Sequence, residues 1–270
     1  MGLVEVVRLE EFRHFTLAEF LTKQNTNYQR TLPLVHSSEA HRLFKMLKEG
    51  KISVSQCDTF HGENLAYFFY GRPSYRKFYE RPQEWQLPFV LILKSTCLVN
   101  MKRLFPFDSG AFFSKRLPSY IANFSPDGYE LSSIPSAVDL LIDIFFGTDE
   151  DYLHNRPKPI EEVKHRRKLG VRHSEIQALC SLYNSVELRA DDRARAIELQ
   201  TDADVMMKDE LLGVVMPRPY FDDETLRGAL KSAGIISRSY DVWGLNTEGY
   251  MSAIYSNVKD IYHQLGLLDA

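Results

Sequence analysis

The eight residues LPFVLILK, 87–94, hold an unbroken apolar run from Leu87 to Leu93, and such a run cannot alternate between core and water. A strand of this kind is buried on both faces, so the sheet that contains it must be covered on both sides. That takes a substantial core. This one has 270 residues, of which 44% are hydrophobic, and the reading is one large domain over 1–270 rather than two small ones.

Around that strand the pattern alternates in blocks. After an N-terminal segment to about residue 30 that is partly helical, LPLVHS reads as a short strand ending at His36. A helix follows, with Ser38 as N-cap, an apolar face of Ala40, Leu43, Phe44 and Leu47, and Gly50 where a left-handed C′ residue is wanted. The stretch ENLAYFFYGRPSYR, 63–76, is an aromatic strand that halts at Gly71 beside Arg72 and Arg76. Residues 113–185 read as an inserted helical segment, with SAVDLLIDIFFG (136–147) closing on Gly147. Within it, PIEEVKHRRKLG (159–170) places acids before bases, as a helix dipole favours. A strand in RARAIELQ (193–200) follows, then an apolar segment LLGVVMP (211–217), a helix in 222–234, a strand near IISRSY and a closing helix over 248–266. Strands at both ends with helices grouped between them give an α+β architecture rather than alternating βαβ units.

Several classes drop out. No run of eighteen apolar residues exists, the N-terminus is charged too early for a secretory signal, and Val6 occupies the position where myristoylation needs Ser or Thr. The expected setting is the cytoplasm. Cys57, Cys97 and Cys180 are scattered without a CxxC pair, which argues against a disulfide framework and a zinc site. A net charge of −3 excludes a uniformly basic surface and leaves the local patch KHRRK at 164–168. Neither a dinucleotide-binding GxGxxG, a P-loop, HExxH nor GxSxG is present.

Three stretches carry chemistry. His36 ends a strand just before a helix N-terminus, a place that favours anions. Arg72 extends the Ala66, Phe68, Tyr70 side of its strand, and a guanidinium suits a bidentate grip on phosphate or carboxylate. Glu198 and Gln200 share one side of a strand whose other side, Ile197 and Leu199, belongs to the core. Each has a structural reading too: His36 bonded to neighbouring backbone, Arg72 stacked on Tyr70 or paired with an acid, and Glu198 and Gln200 on an ordinary half-exposed strand.

In this order, the strand-end histidine, Leu43, Met46–Leu47, Gly50, the aromatic strand leading to Arg72 and the late strand with Glu198 resemble the ADP-ribosyltransferase fold. The resemblance is closest to DarT-like toxins, which modify nucleic acid, and to related phage-defence toxins. His36-Ser37-Ser38 stands for the family's His-x-Thr element, with Ser in place of Thr. Arg42 replaces the Asn of the DarT-like helix, and Gly71 sits where that group commonly has Pro. The resemblance implies split mixed β-sheets with the helical segment inserted, NAD as substrate, and no metal. It makes Glu198 the catalytic carboxylate, with Glu175 as the competing candidate, and Arg72 the grip on the pyrophosphate. His36 would hold the nicotinamide ribose or carboxamide, Ser38 would also contact NAD, and Tyr67 or Tyr70 would stack on the nicotinamide. Gln200, Arg166 and Arg167 would meet an RNA or DNA acceptor. A bacterial toxin of this kind would have an antitoxin partner. Rival readings are an NAD glycohydrolase, a protein-directed transferase, a non-catalytic binding module, and, more weakly, a metal-independent ribonuclease using His36 and Arg72.

Overall fold

A computed structural model describes residues 13–74, 82–185, 192–241 and 247–268. Its strands are β1 Leu34–Glu39, β2 Lys51–Ile52, β3 Ser55–Gln56, β4 Asn64–Tyr70, β5 Pro88–Leu93, β6 Arg103–Phe105, β7 Glu198–Thr201, β8 Val205–Met206, β9 Leu211–Pro217 and β10 Ile236–Tyr240. Its helices are α1 Leu17–Leu21, α2 Leu43–Glu49, α3 Ser109–Phe113, α4 Ser119–Ala122, α5 Ala137–Phe145, α6 Asp149–Leu153, α7 Ile160–Arg166, α8 Ser174–Asn184, α9 Arg218–Phe221, α10 Glu224–Ser232 and α11 Thr247–Gln264. None of them is long and apolar enough to cross a membrane.

Every residue of β5 is buried, as its unbroken apolar run requires. It lies inside the main sheet, whose order is β10-β9-β5-β1-β4-β7-β6, with β3 also pairing β4; β2 and β8 form a separate ribbon. All pairings in the main sheet are antiparallel except β10 with β9, so the sheet is mixed and the class is α+β. α11 packs behind the parallel pair, where Gly213 leaves room for Ile261.

The sheet is nearly divided at its centre. β1 pairs β5 along its whole length, from Leu34↔Leu93 to Glu39↔Pro88, yet meets β4 only at Leu34↔Tyr70 and Val35↔Phe69. Beyond those pairs the two strands part. The expected split into separate mixed sheets is not found: one continuous mixed sheet forms, because the short β1–β4 pairing still links its two halves.

Helices α3 to α8 occupy the chain between β6 and β7, beginning at Ser109, a few residues before the expected 113, because the Asp108 side chain caps α3 through the Ala111 N–H. This layer docks through Tyr152, whose hydroxyl donates to Tyr70 O at 3.0 Å and accepts from Ile197 N–H at 3.1 Å. Gly147 (φ +102°) ends the α5 segment and Gly50 (φ +65°) ends α2, both in conformations that favour glycine.

Two local expectations need correction. β1 runs on to Glu39, since β5 pairs it that far, so His36 lies inside a strand and Ser38 caps no helix; the chain enters α2 through a 3₁₀ turn at Ala40–Arg42. α2 buries Leu43 and leaves Phe44 48% exposed, so Phe44 does not belong to its apolar face. Part of the N-terminal segment (1–12) and Arg76 lie outside the described residues.

Candidate functional site

Where β1 and β4 part, a cleft of about 420 Å³ opens. That is within the ~300–1,000 Å³ common for small-molecule sites. His36, Ser38, Tyr67, Asp108, Arg193 and Glu198 are on its walls.

Glu198 opens β7 opposite Phe69 of β4 and Phe105 of β6, which fixes its backbone from both sides. Its side chain is 1% exposed. Three donors hold the carboxylate: Ser109 N–H at 3.1 Å, Ser109 Oγ–H at 2.6 Å and Gln200 Nε2–H at 2.6 Å. Burial nonetheless drives its pKa well above the carboxylate range, and the neighbouring Asp108 adds to the rise. Gln200 is in turn set by Arg103, which donates to its Oε1 at 3.2 Å while pairing Glu63 at 2.6 Å.

His36 faces the cleft as a neutral imidazole. Its Nδ1 lies 2.9 Å from Tyr67 O, an acceptor only, so Nδ1 carries the hydrogen and Nε2 is left as a bare acceptor. Among the described residues, Nε2 is buried without a partner. Burial lowers the pKa to about 4 despite the Tyr67 carbonyl, and the Arg42 charge lowers it further. The same bond satisfies a β4 carbonyl that β1, having turned away, no longer pairs. Tyr67 Oη lies 2.7 Å from Cys57 Sγ, which also accepts from the Thr59 and Phe60 N–H groups.

The structure thus brings His36, Ser38, Tyr67 and Glu198 to one cleft and places the other expected residues elsewhere. Tyr70 is on the opposite side of β4 from Tyr67, buried, donating to Asp149 Oδ1 at 2.8 Å and accepting from Leu32 N–H. Arg72 does not line the cleft either. Gly71 (φ +63°) breaks the period-2 alternation, and the guanidinium turns under the helical layer, 5.0 Å over the Tyr152 ring and bonded to Leu153 O and Asn155 Oδ1. Gln200 is fully buried and holds Glu198 rather than facing an acceptor. Arg166 pairs Glu162, and Arg167 pairs Asp143, on α7 and just after it, outside the cleft walls. Glu175 is buried at the start of α8, accepting from Leu17 N–H at 2.6 Å against Gly128, also away from the cleft.

Sequence reasoning missed Ser109 and Asp108, which position and perturb Glu198, and the cleft arginines Arg116 and Arg193, and it met Arg42 only as a departure from the family's Asn. A signal for the first pair existed in the capping pattern of FDSGAF at 107–112. No signal existed for Arg116 and Arg193, which join Arg42 only through folding.

No protein-family model, no curated protein and no solved structure matches the chain. The functional reading therefore rests on the site itself.

Proposed function

We propose that the cleft binds NAD and that the protein is an ADP-ribosyltransferase acting on nucleic acid, of the kind used as a toxin and held silent by an antitoxin. The observation that carries this reading is the buried Glu198 carboxyl, fixed by Ser109 and Gln200 in a cleft it shares with the unpartnered Nε2 of a neutral His36. When the bond from ribose C1′ to nicotinamide breaks, its electron pair leaves with the nicotinamide and positive charge develops at C1′. An ionised Glu198 favours that charge more than the ground state, which is the requirement for catalysis. It then accepts the proton that the acceptor nucleophile loses as its bond to C1′ forms. His36 Nε2 accepts from a ribose hydroxyl. Tyr67, on the cleft wall, faces the nicotinamide.

Arg42 at the rim, with Arg116 and Arg193, takes the diphosphate role first expected of Arg72. An acceptor surface adjoins the same rim. The 3₁₀ turn and α2 expose His41, Arg42, Lys45 and Lys48. Phe44 (48% exposed) and Trp85 (54% exposed) lie beside them, and His41 Nδ1 is 3.2 Å from Trp85 O. Basic groups interleaved with open aromatic faces suit a single strand of nucleic acid better than the paired Arg166 and Arg167 do.

The test is incubation with NAD labelled in its adenylate half and separate pools of DNA, RNA and protein. Label should enter a nucleic-acid pool, with a loss of about a hundredfold or more in Glu198→Gln. Free ADP-ribose with no labelled macromolecule would replace transfer by NAD hydrolysis, and no consumption of NAD would end the reading.

A further inference from the structure

Gly71, where β4 halts, lines a second cavity. On the far side of that turn, a pocket of about 290 Å³ lies between the end of α6 and α11, outside the cleft already described. Much of its wall is apolar, from Leu153, Tyr255, Val258 and Leu268, but its ionisable groups of ordinary charge are all basic: Lys259 and His154, with no carboxylate among the lining residues. Lys259 has no ion pair among the described residues. His154 is held below its usual pKa by burial first and then by the charges of Lys259 and Arg156.

Behind the wall is Arg72. Its side chain is 1% exposed and, among the described residues, no carboxylate pairs it. Nη2 donates to Leu153 O at 3.3 Å and to Asn155 Oδ1 at 2.5 Å, both groups belonging to residues of the pocket wall, while Nε and Nη1 are buried without partners. A guanidinium buried without a counter-charge is costly, and a nearby anion offsets that cost. The Arg72 bond also fixes the Asn155 amide: with Oδ1 turned to the guanidinium, the two Nδ2 hydrogens remain for another acceptor. Asn155 is held at φ +53°, in the left-handed region. Tyr255 supplies a further hydroxyl, buried and, among the described residues, unpartnered, on the same wall.

We propose that this pocket is a binding site for a small organic anion, a carboxylate or phosphate monoester with an apolar body, its charged end at Lys259 and Asn155 and its body against Leu153, Tyr255 and Val258. Arg72 acts through Asn155 and through space as the fixed positive charge that selects an anion. The site is separate from the NAD reading and stands whether or not that reading holds.

Titration of the full chain with benzoate and with phenyl phosphate, followed calorimetrically, tests it, with benzamide as the uncharged control of the same shape. Benzoate should bind at least about tenfold more tightly than benzamide, and Lys259→Met should weaken benzoate by about fivefold or more, with Lys259→Arg restoring it. Lys259 is solvent-exposed, so both variants should fold, and a thermal melt checks that. Benzamide binding as well as benzoate, Lys259→Met leaving benzoate affinity unchanged, or no binding of either anion at about 10 mM would each overturn the proposal.

Discussion

If Glu198 faces the cationic nicotinamide ring, NAD affinity must depend on pH in a direction that burial fixes. Burial, helped by Asp108, raises the Glu198 pKa from 4.5 to about 8, so in the empty cleft the carboxyl is mostly protonated at neutral pH. A unit positive charge about 4 Å away, at an effective dielectric of about 20, favours the ionised form by about 4 kcal/mol, roughly three powers of ten in the proton equilibrium. Binding then expels the proton, and linkage makes the association constant rise almost tenfold per pH unit below the free-site value. Between pH 6 and pH 8 the two-state arithmetic gives a rise of about fiftyfold, levelling above pH 8. His36 does not contaminate this window, since its pKa is lowered to about 4. Calorimetric titration across pH 6–9 measures the slope, and proton uptake in buffers of different ionisation enthalpy measures the release directly. NADH, whose nicotinamide ring is uncharged, should show no such rise, and Glu198→Gln should bind NAD with a flat profile. A wild-type affinity for NAD that is flat over this range, or an NADH slope equal to that of NAD, would refute the placement of Glu198 against the cation.

Two further outcomes concern the scaffold. Tyr152→Phe removes the acceptor of the Ile197 N–H and the donor to Tyr70 O, both buried where the helical layer meets β4 and β7. It should cost about 1–3 kcal/mol in urea unfolding, and a loss below about 0.5 kcal/mol would show that the bridge is replaceable. Glu175 is raised from 4.5 to about 7 by burial. For an acid with a raised folded-state pKa, the folded chain holds the proton more tightly, so this contribution is complete below pH 4.5 and is lost as pH rises through about 7. The loss amounts to up to about 3 kcal/mol. Glu175→Gln does not titrate, so its stability relative to wild type should improve by that order between pH 4.5 and pH 8, and an unchanged difference would contradict the reading.

What was legible in the sequence followed periodicity and glycine. The apolar run of β5, the aromatic β4, the helical stretch between β6 and β7 and the stops at Gly50 and Gly147 each follow from local pattern. Glu198 could be singled out because the alternation in IELQ puts it opposite core residues. Where the reading failed, a tertiary pairing or a turn had overridden that local rule. Ser38 looked like a helix cap, but β5 held it in the strand. Arg72 looked like a continuation of the Tyr70 side, but a positive φ at Gly71 rotated the chain between them. Gln200 looked like a polar neighbour of Glu198 facing a partner, and it is instead the donor that holds Glu198, since both sides of β7 are buried. Ser109 is 89 residues from Glu198 along the chain, and no local pattern encodes a contact at that separation.

The second pocket borders the joint between the two half-sheets. Leu34↔Tyr70 is the terminal β1–β4 pair, and one step beyond it Gly71 N–H donates to Pro33 O at 2.9 Å, the last main-chain bond holding the half-sheets together. Gly71 O is occupied as well, by the Tyr262 hydroxyl of α11 at 2.9 Å. Gly71 and Tyr262 are both on the wall of the second pocket, whereas the cleft opens from the other side of the same short pairing. The joint consists of two residue pairs and the one further bond from Gly71 to Pro33. Tyr262 thus ties α11 to the joint, while Gly71 itself lines the second pocket and not the cleft. An alanine at Gly71 would need φ near +63° and would put its Cβ 2.6 Å from Leu32 Cδ1, so this tight turn leaves no room for a side chain.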